Sequence, residues 1–229
     1  MADIGRQIYT AFIEADRYML YLNGLKATLQ LSLGGVFIGL SLGLLLALMR
    51  LTKARPLSAL SGAYIDIIRG TPMVVQLLVF YFVIFGSVRS TSPNFKVMVG
   101  AIAFGCNSAA YVAEIIRAGI LSIDSGQAEA GRSLGLSGAQ CMRFIVLPQA
   151  VKNVIPALGN ELITLIKETS IFGYIGGVDL AKAGEQIRTK TFIPFVPLFG
   201  VALIYYLVVK ALTYLLRLLE RRLRAGDNR

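Results

Sequence analysis

Leu-Gln-Leu-Ser-Leu-Gly-Gly-Val-Phe-Ile-Gly-Leu-Ser-Leu-Gly-Leu-Leu-Leu-Ala-Leu-Met, residues 29 to 49, continues without a single charge. A helix rises about 1.5 Å per residue and the hydrocarbon core of a bilayer is about 30 Å thick, so about 20 apolar residues suffice to cross it. A stretch of this length and composition places the chain in a membrane. The rest of the sequence agrees: 229 residues, 55% hydrophobic and 16% charged, with a mean hydropathy of +0.67. Such a chain is too apolar for an ordinary soluble domain and too short for several.

Four more stretches meet or approach the same length. Gly70 to Val88 has no charge, Val97 to Ala113 is uncharged up to Glu114, Val154 to Val178 carries Glu161, Lys167 and Glu168, and Thr191 to Val209 is clean. The expected fold is therefore an all-α membrane protein with five transmembrane helices. The second span starts earlier, near Leu57, but Arg69-Gly70-Thr71-Pro72 interrupts it. Proline lacks a backbone donor and clashes with the preceding turn, so a kink or break is expected there.

Ahead of the first span, Ile4, Ile8, Phe12, Ala15, Met19 and Leu22 recur at helical spacing opposite Arg6, Glu14 and Arg17. This predicts an amphipathic segment, 1–22, lying along the membrane surface. No short apolar run with a small-residue cleavage site opens the chain, so the first span is expected to do the targeting.

The net charge of +10 is distributed between the apolar stretches rather than gathered beside aromatics, which argues for topology signals and against a nucleic-acid partner. Cys106 and Cys141 match neither a metal spacing nor a redox pair, and there is no histidine, so no metal site is expected. Five spans put the termini on opposite sides. One set of connections holds Arg50, Lys53, Arg55, Arg117, Arg132, Arg143, Lys152, Arg217, Arg221, Arg222, Arg224 and Arg229, twelve in all. The other holds eight: Arg6, Arg17, Lys26, Arg89, Lys96, Lys182, Arg188 and Lys190. Positive residues favour the cytoplasmic side, so the N-terminus is expected outside and the C-terminus inside. The five-span core is expected at 23–216, the loop of about 123–152 is expected in the cytoplasm, and the basic tail 217–229 at the inner leaflet. No internal repeat stands out, so symmetry in a pore would come from a second subunit.

That cytoplasmic loop is not a random linker. Gln127 to Leu134 can form a short helix with Gly135 as its stop, and a second helical piece is expected to begin at Ser137, an N-cap residue, and to end before Pro148. Two short helices joined by a glycine turn make a rigid knob, which either carries force or merely ties two spans together. The residues closely resemble the EAA signature of ABC importer permeases: Glu-Ala-Ala, three residues, Gly, nine residues, Ile, one residue, Leu-Pro. Glu129, Ala130, Gly135, Ile145, Leu147 and Pro148 stand at its positions, with Gly131 where alanine is usual.

The resemblance extends over most of the chain and is to the polar amino acid branch, akin to histidine, glutamine and arginine permeases. Asn23-Gly24-Leu25, Ile68 to Pro72 with Gln76, Ser108 to Gly119, Leu158 to Glu161, Lys167 to Ser170 and Glu220 to Arg224 carry it. It implies a type I ABC importer permease fold in a bacterial cytoplasmic (inner) membrane, with a coupling helix between the third and fourth spans. It also implies two permeases, alike or related, a cytoplasmic ATPase dimer that binds ATP and Mg, and an extracytoplasmic solute-binding protein. No cofactor is expected in this chain, which has no Gly-x-x-x-x-Gly-Lys motif and is not expected to be an enzyme. Glu129, Ala130, Gly131, Gly135, Leu147 and Pro148 are the implied ATPase-coupling residues.

Ionisable groups inside a membrane are functional candidates by default. At 100° per residue Glu161, Thr164 and Glu168 share one stripe of the fourth span, with Asn160 and Lys167 beside it, a polar face that must look into a bundle or a wet cavity. These five, with Arg69 and Gln76, are the substrate-path candidates. The acids and Lys167 offer partners for the ammonium and carboxylate of an amino acid, and two acids hint at a cationic one. Equally open is internal pairing, Lys167 or Arg69 neutralising Glu161 or Glu168, with Asp66 and Arg69 as a pair three residues apart. The competing class is a self-sufficient secondary transporter or channel, which calls for more spans or an inverted repeat and leaves the loop unexplained.

Overall fold

The computed structural model describes residues 3–88 and 92–224, all helix and connections. Arg89, residues 225–229 of the expected basic tail and the first two residues lie outside the described residues. α1, Ile4–Phe12, is followed by a 3-10 turn at Glu14–Asp16. α2, Tyr18–Leu51, is a single helix of 34 residues. The amphipathic segment is thus not one helix. Ala15 (φ 53°) and Asp16 (φ 52°) turn the backbone left-handed between α1 and α2, and the Arg17 guanidinium donates to the Thr10 carbonyl at the end of α1. α2 starts well before Leu29 because apolarity marks where a helix meets lipid, not where its backbone pairing ends.

α3, Arg55–Arg69, and α4, Met73–Leu78, are separated at Gly70 to Pro72, and α4 runs on as a π-helical stretch, Val79–Ile84. The two halves are bent by 104°, the break that Pro72 foretells. Freed carbonyls at membrane depth need partners, because lipid offers none. Gln76 supplies them: its amide nitrogen donates to the Ile68 carbonyl (2.7 Å), the Thr71 carbonyl (3.1 Å) and Thr71 Oγ1 (2.8 Å). Its oxygen accepts from Asn107 Nδ2 at 3.0 Å, tying the break to the next helix.

That helix, α5 (Pro93–Leu121), is the centre of the bundle, with α2, α3 and α8 (Leu147–Glu168) against it. Between helices in lipid the gain comes from close van der Waals contact, which small residues permit. Gly39 and Gly43 of α2 show how close: a Cβ would lie 2.9 Å from Ser108 Cβ on the first and 2.6 Å from Val112 Cγ1 on the second. Leu31, Leu77, Ala103, Phe104, Leu165 and Phe172 form the buried cluster where α2, α4, α5 and α8 meet.

Between α5 and α8 lie α6, Ser125–Ser133, and α7, Gly138–Cys141. The second helical piece does not end before Pro148: it continues through a π-helical stretch, Met142–Val146, straight into α8. Pro148 has no N–H to give, and the π turn takes up the difference, with Leu147 N–H bonded five residues back to Met142 O. α8 ends at Glu168, earlier than the expected Val178, and a 3-10 turn, Thr169–Ile175, follows.

α9, Leu180–Thr191, has no counterpart among the expected spans. Buried Asp179 caps it, accepting from Ala181 N, Lys182 N and Tyr205 Oη, while Leu180 N donates to Thr28 Oγ1. Left-handed Phe192 and Pro194 end α9, so the last helix, α10, is Val196–Arg224 rather than Thr191 to Val209. Among the described residues three helical stretches, Glu14–Leu51, Pro93–Leu121 and Val196–Leu223, are long and apolar enough to cross a membrane, and the bent pair, counted as one span, makes four. α8, the fourth of the expected spans, is not among these four and bears Lys152, Glu161, Lys167 and Glu168.

Candidate functional site

Two regions hold the expected residues. The first is the knob. Asp124 caps α6, accepting from Gly126 N at 2.8 Å. At its other end Leu136 N donates to Gly131 O (3.1 Å) and Gly135 N to Arg132 O (2.9 Å), a Schellman closure that needs a left-handed residue at position 135. Gly135 supplies it with φ +88°. Ser137 and Gln140 then form a reciprocal capping box that starts α7 (2.8 and 3.3 Å). The turn is fixed by backbone bonds at both ends.

Gly131 faces inward. A Cβ there would meet Ile145 Cδ1 at 2.6 Å and Cys141 Sγ at 2.9 Å, so the glycine that stands where alanine is usual lets α6 settle on the helix behind it. Glu129 and Ala130 point outward and are exposed, as are Leu147 and Pro148 at the base. Leu134, at the tip beside Gly135, is 85% exposed, and Phe144 is 61% exposed with Arg143 over its ring. Neither was among the expected coupling residues. The signal for Leu134 is in the sequence, since a leucine before a helix-stopping glycine in a polar loop has no core to enter.

The second region is the polar face of α8. Glu161 Oε1 accepts from Ser108 Oγ of α5 at 2.8 Å, which ties an acid of α8 to the central helix of the bundle. Ser108 was not a candidate, because its partner lies 53 residues away. Asn160, Thr164 and Lys167 are exposed, and Glu168 is half-buried. Among the described residues no ion pair joins Lys167 or Arg69 to Glu161 or Glu168, and none joins Asp66 to Arg69. The Arg69 guanidinium instead lies 5.5 Å from the centre of the Tyr111 ring. Gln76 is buried and occupied with the helix break. So Glu161 is joined to α5, Gln76 and Arg69 sit at the break, and Asn160, Thr164 and Lys167 of α8 are exposed.

A cleft of about 340 Å³ between the 3-10 turn and α9, lined by Ser170, Gly173, Tyr174, Ala181, Lys182 and Glu185, includes none of these residues. Among the described residues no group of three or more His, Cys, Asp or Glu is placed to hold a metal ion.

The bent span, the capped knob and the exposed polar residues of α8 are three features of one helical bundle. The chain belongs to the family of binding-protein-dependent transport system inner membrane components, which residues 39–225 match. It is 41% identical over 206 residues to the arginine transport system permease protein ArtQ of Bacillus subtilis, covering 90% of this chain and 93% of that one. It is 40% identical over 210 residues to a putative glutamine transport system permease protein, GlnP, of Rickettsia bellii, covering 91% and 95%. A crystal structure of an amino acid ABC transporter with histidines superposes with a TM-score of 0.85 at 40% identity, covering 97% of this chain and 99% of that one. The inward-facing MetNI methionine ABC transporter shares the fold, with a TM-score of 0.73 at 21% identity. The chain is thus a multi-pass membrane protein with the type I importer permease fold.

Proposed function

We propose that this permease imports a polar amino acid across the cytoplasmic membrane and takes its power from a cytoplasmic ATPase dimer seated on the knob. The observation that carries the reading is the knob itself: a helix of nine residues closed by the Gly135 turn, with Glu129, Ala130 and Leu134 presented outward. Leucine so exposed on a backbone-locked turn is suited to a groove in another protein. Glu129 offers that groove a carboxylate, and Gly131 and Gly135 set the angle at which it arrives. Leu147 and Pro148 root the knob on α8, so that displacement of the knob is displacement of the span.

In this reading α8 is the fourth of five spans, with 23–216 as the permease domain, 1–22 outside and the basic tail 217–229 in the cytoplasm. The open polar face, Asn160, Thr164 and Lys167 with Glu161 and Glu168 at its edge, would be intolerable against lipid and belongs on a water-filled path. A second permease, identical or related, closes that path from the other side. Acids for the ammonium or a cationic side chain and Lys167 for the carboxylate give the face the polarity of a zwitterion. Arg69 and Gln76 act at the break, Gln76 by holding it and Arg69 from its rim. ATP and Mg are bound by the partner. Closing of the ATPase dimer draws two knobs together and tilts the spans to open outward, where a solute-binding protein delivers the amino acid.

The experiment is uptake by the complex reconstituted with its ATPase and binding protein, scanned over labelled amino acids. ATP-dependent uptake of a polar amino acid, lost when the ATPase is omitted, is the expected result. Uptake driven by an ion gradient without the ATPase would overturn the proposal.

A further inference from the structure

Lys210 takes no part in the knob, the break or the polar face. It lies 14 residues beyond Val196, the first residue of α10, which is about 21 Å along the helix. It is exposed on a span whose outer side is otherwise apolar, with Phe199 71%, Leu203 58% and Leu207 56% exposed. A cation directed into hydrocarbon is costly, and lysine avoids this by lying along the helix toward the headgroups. What lies in that direction is Arg217, about two turns on.

At 100° per residue Tyr206, Lys210, Thr213 and Arg217 fall within about 60° of one another. With Val209 and Tyr214 they line a shallow groove of about 130 Å³. Thr213 Oγ1 donates to Val209 O at 2.7 Å, so the hydroxyl is turned to its own backbone. Among the described residues no ion pair reaches Lys210 or Arg217. None of the six lining residues is acidic. Phe199, Leu203 and Leu207 continue the same side of the helix toward the membrane centre.

We infer that this face of α10 is a binding site for one anionic phospholipid of the inner leaflet. Its phosphate sits between Lys210 and Arg217, Tyr206 and Tyr214 flank the headgroup, and an acyl chain lies along Leu207, Leu203 and Phe199. The order of groups along the helix, cations toward the basic end and apolar residues away from it, is the order of groups in the lipid. A second copy of this chain is a poor occupant, because a two-fold contact through this groove would set cation against cation. The site rests on the membrane location and on the inward C-terminus, not on the substrate, so failure of the transport reading leaves it untouched.

The test is the fraction of spin-labelled phosphatidylglycerol, against phosphatidylcholine, that is immobilised by the full-length permease co-assembled with its ATPase in vesicles. Preference for phosphatidylglycerol is expected to fall about fivefold for each cation removed in Lys210→Gln and Arg217→Gln, the effect of one basic residue near an anionic surface. Arg221→Gln with Arg222→Gln is expected to change it less than twofold if the site is specific rather than a diffuse surface charge. An unchanged preference in the Lys210/Arg217 double variant overturns the proposal, as does an equal loss in the Arg221/Arg222 pair. Loss of preference on adding inorganic phosphate at constant ionic strength overturns the lipid as occupant. Dissociation of the permease pair by Lys210→Gln, with lipid preference intact, assigns the groove to a protein contact and also overturns it.

Discussion

Gly135→Asp isolates docking from folding. The residue has φ +88°, a region in which a side chain costs about 1 to 2 kcal/mol, less for Asp and Asn than for others. Nothing lies within 4 Å of where a Cβ would stand, so the substitution meets no clash inside the chain. The Schellman bonds of Leu136 and Gly135 can persist, and the loss is confined to a turn that opens a little more often. Insertion, yield and thermal stability in detergent are therefore expected to move only slightly. The outer surface is different: beside Leu134 a carboxylate and its hydration enter the proposed groove, and an unpaired charge buried at an interface costs several kcal/mol, more than a hundredfold in affinity. The assay is co-purification of the ATPase with tagged permease, with monodispersity of the permease alone as the control. Gly135→Asn, equally able to take the left-handed turn but uncharged, is expected to retain more ATPase than Gly135→Asp. Full assembly and uptake in Gly135→Asp would refute the docking of this turn. A misfolded, aggregated permease would refute the argument that its cost is local.

Three further outcomes follow from the geometry. Gln76→Ala removes three donations at the helix break and leaves Asn107 without its acceptor, so a loss of about 1 to 3 kcal/mol is expected, read as a lower melting temperature in detergent. Gly43→Leu drives a side chain into Val112 and is expected to separate α2 from α5, cutting membrane yield severalfold, whereas Leu44→Ala on the lipid side leaves yield unchanged. Glu161→Gln keeps the Ser108 hydrogen bond available but removes the charge, so uptake with saturating binding protein is expected to drop at least tenfold while ATPase assembly persists. Unchanged uptake in Glu161→Gln together with Glu168→Gln would remove α8 from the substrate path.

The sequence announced the helix break and the knob plainly, since Pro72, Gly135 and Ser137 each act through their own backbone. It announced the presence of spans but not their ends: α2 and α10 run past the apolar stretches because helical pairing does not stop where lipid does. α9 was missed because Lys182, Glu185, Arg188 and Lys190 give it a polar composition, and only the Asp179 cap marks its start. Asp179 itself reads as a loop acid until Tyr205 is brought to it from α10, with Thr28 of α2 on the neighbouring Leu180 N–H. Ser108 and Asn107 were invisible as partners of Glu161 and Gln76 for the same reason. Pairings across the bundle depend on how α5 is turned, and no local pattern states that. Gly131 shows the reverse case, a small departure from a family pattern that the packing of Ile145 and Cys141 explains.

The unbroken run of helix from Gly138 through the π stretch to Glu168 makes the knob and the polar face two ends of one lever. Glu161 lies 23 residues beyond Gly138, about 35 Å along the axis. Over that length a tilt of about 5° moves the carboxylate by about 3 Å, enough to part it from Ser108 while the knob hardly shifts in its seat. In the proposed transport cycle, ligand release would then be timed by the tilt of a single rod that pivots at its knob end.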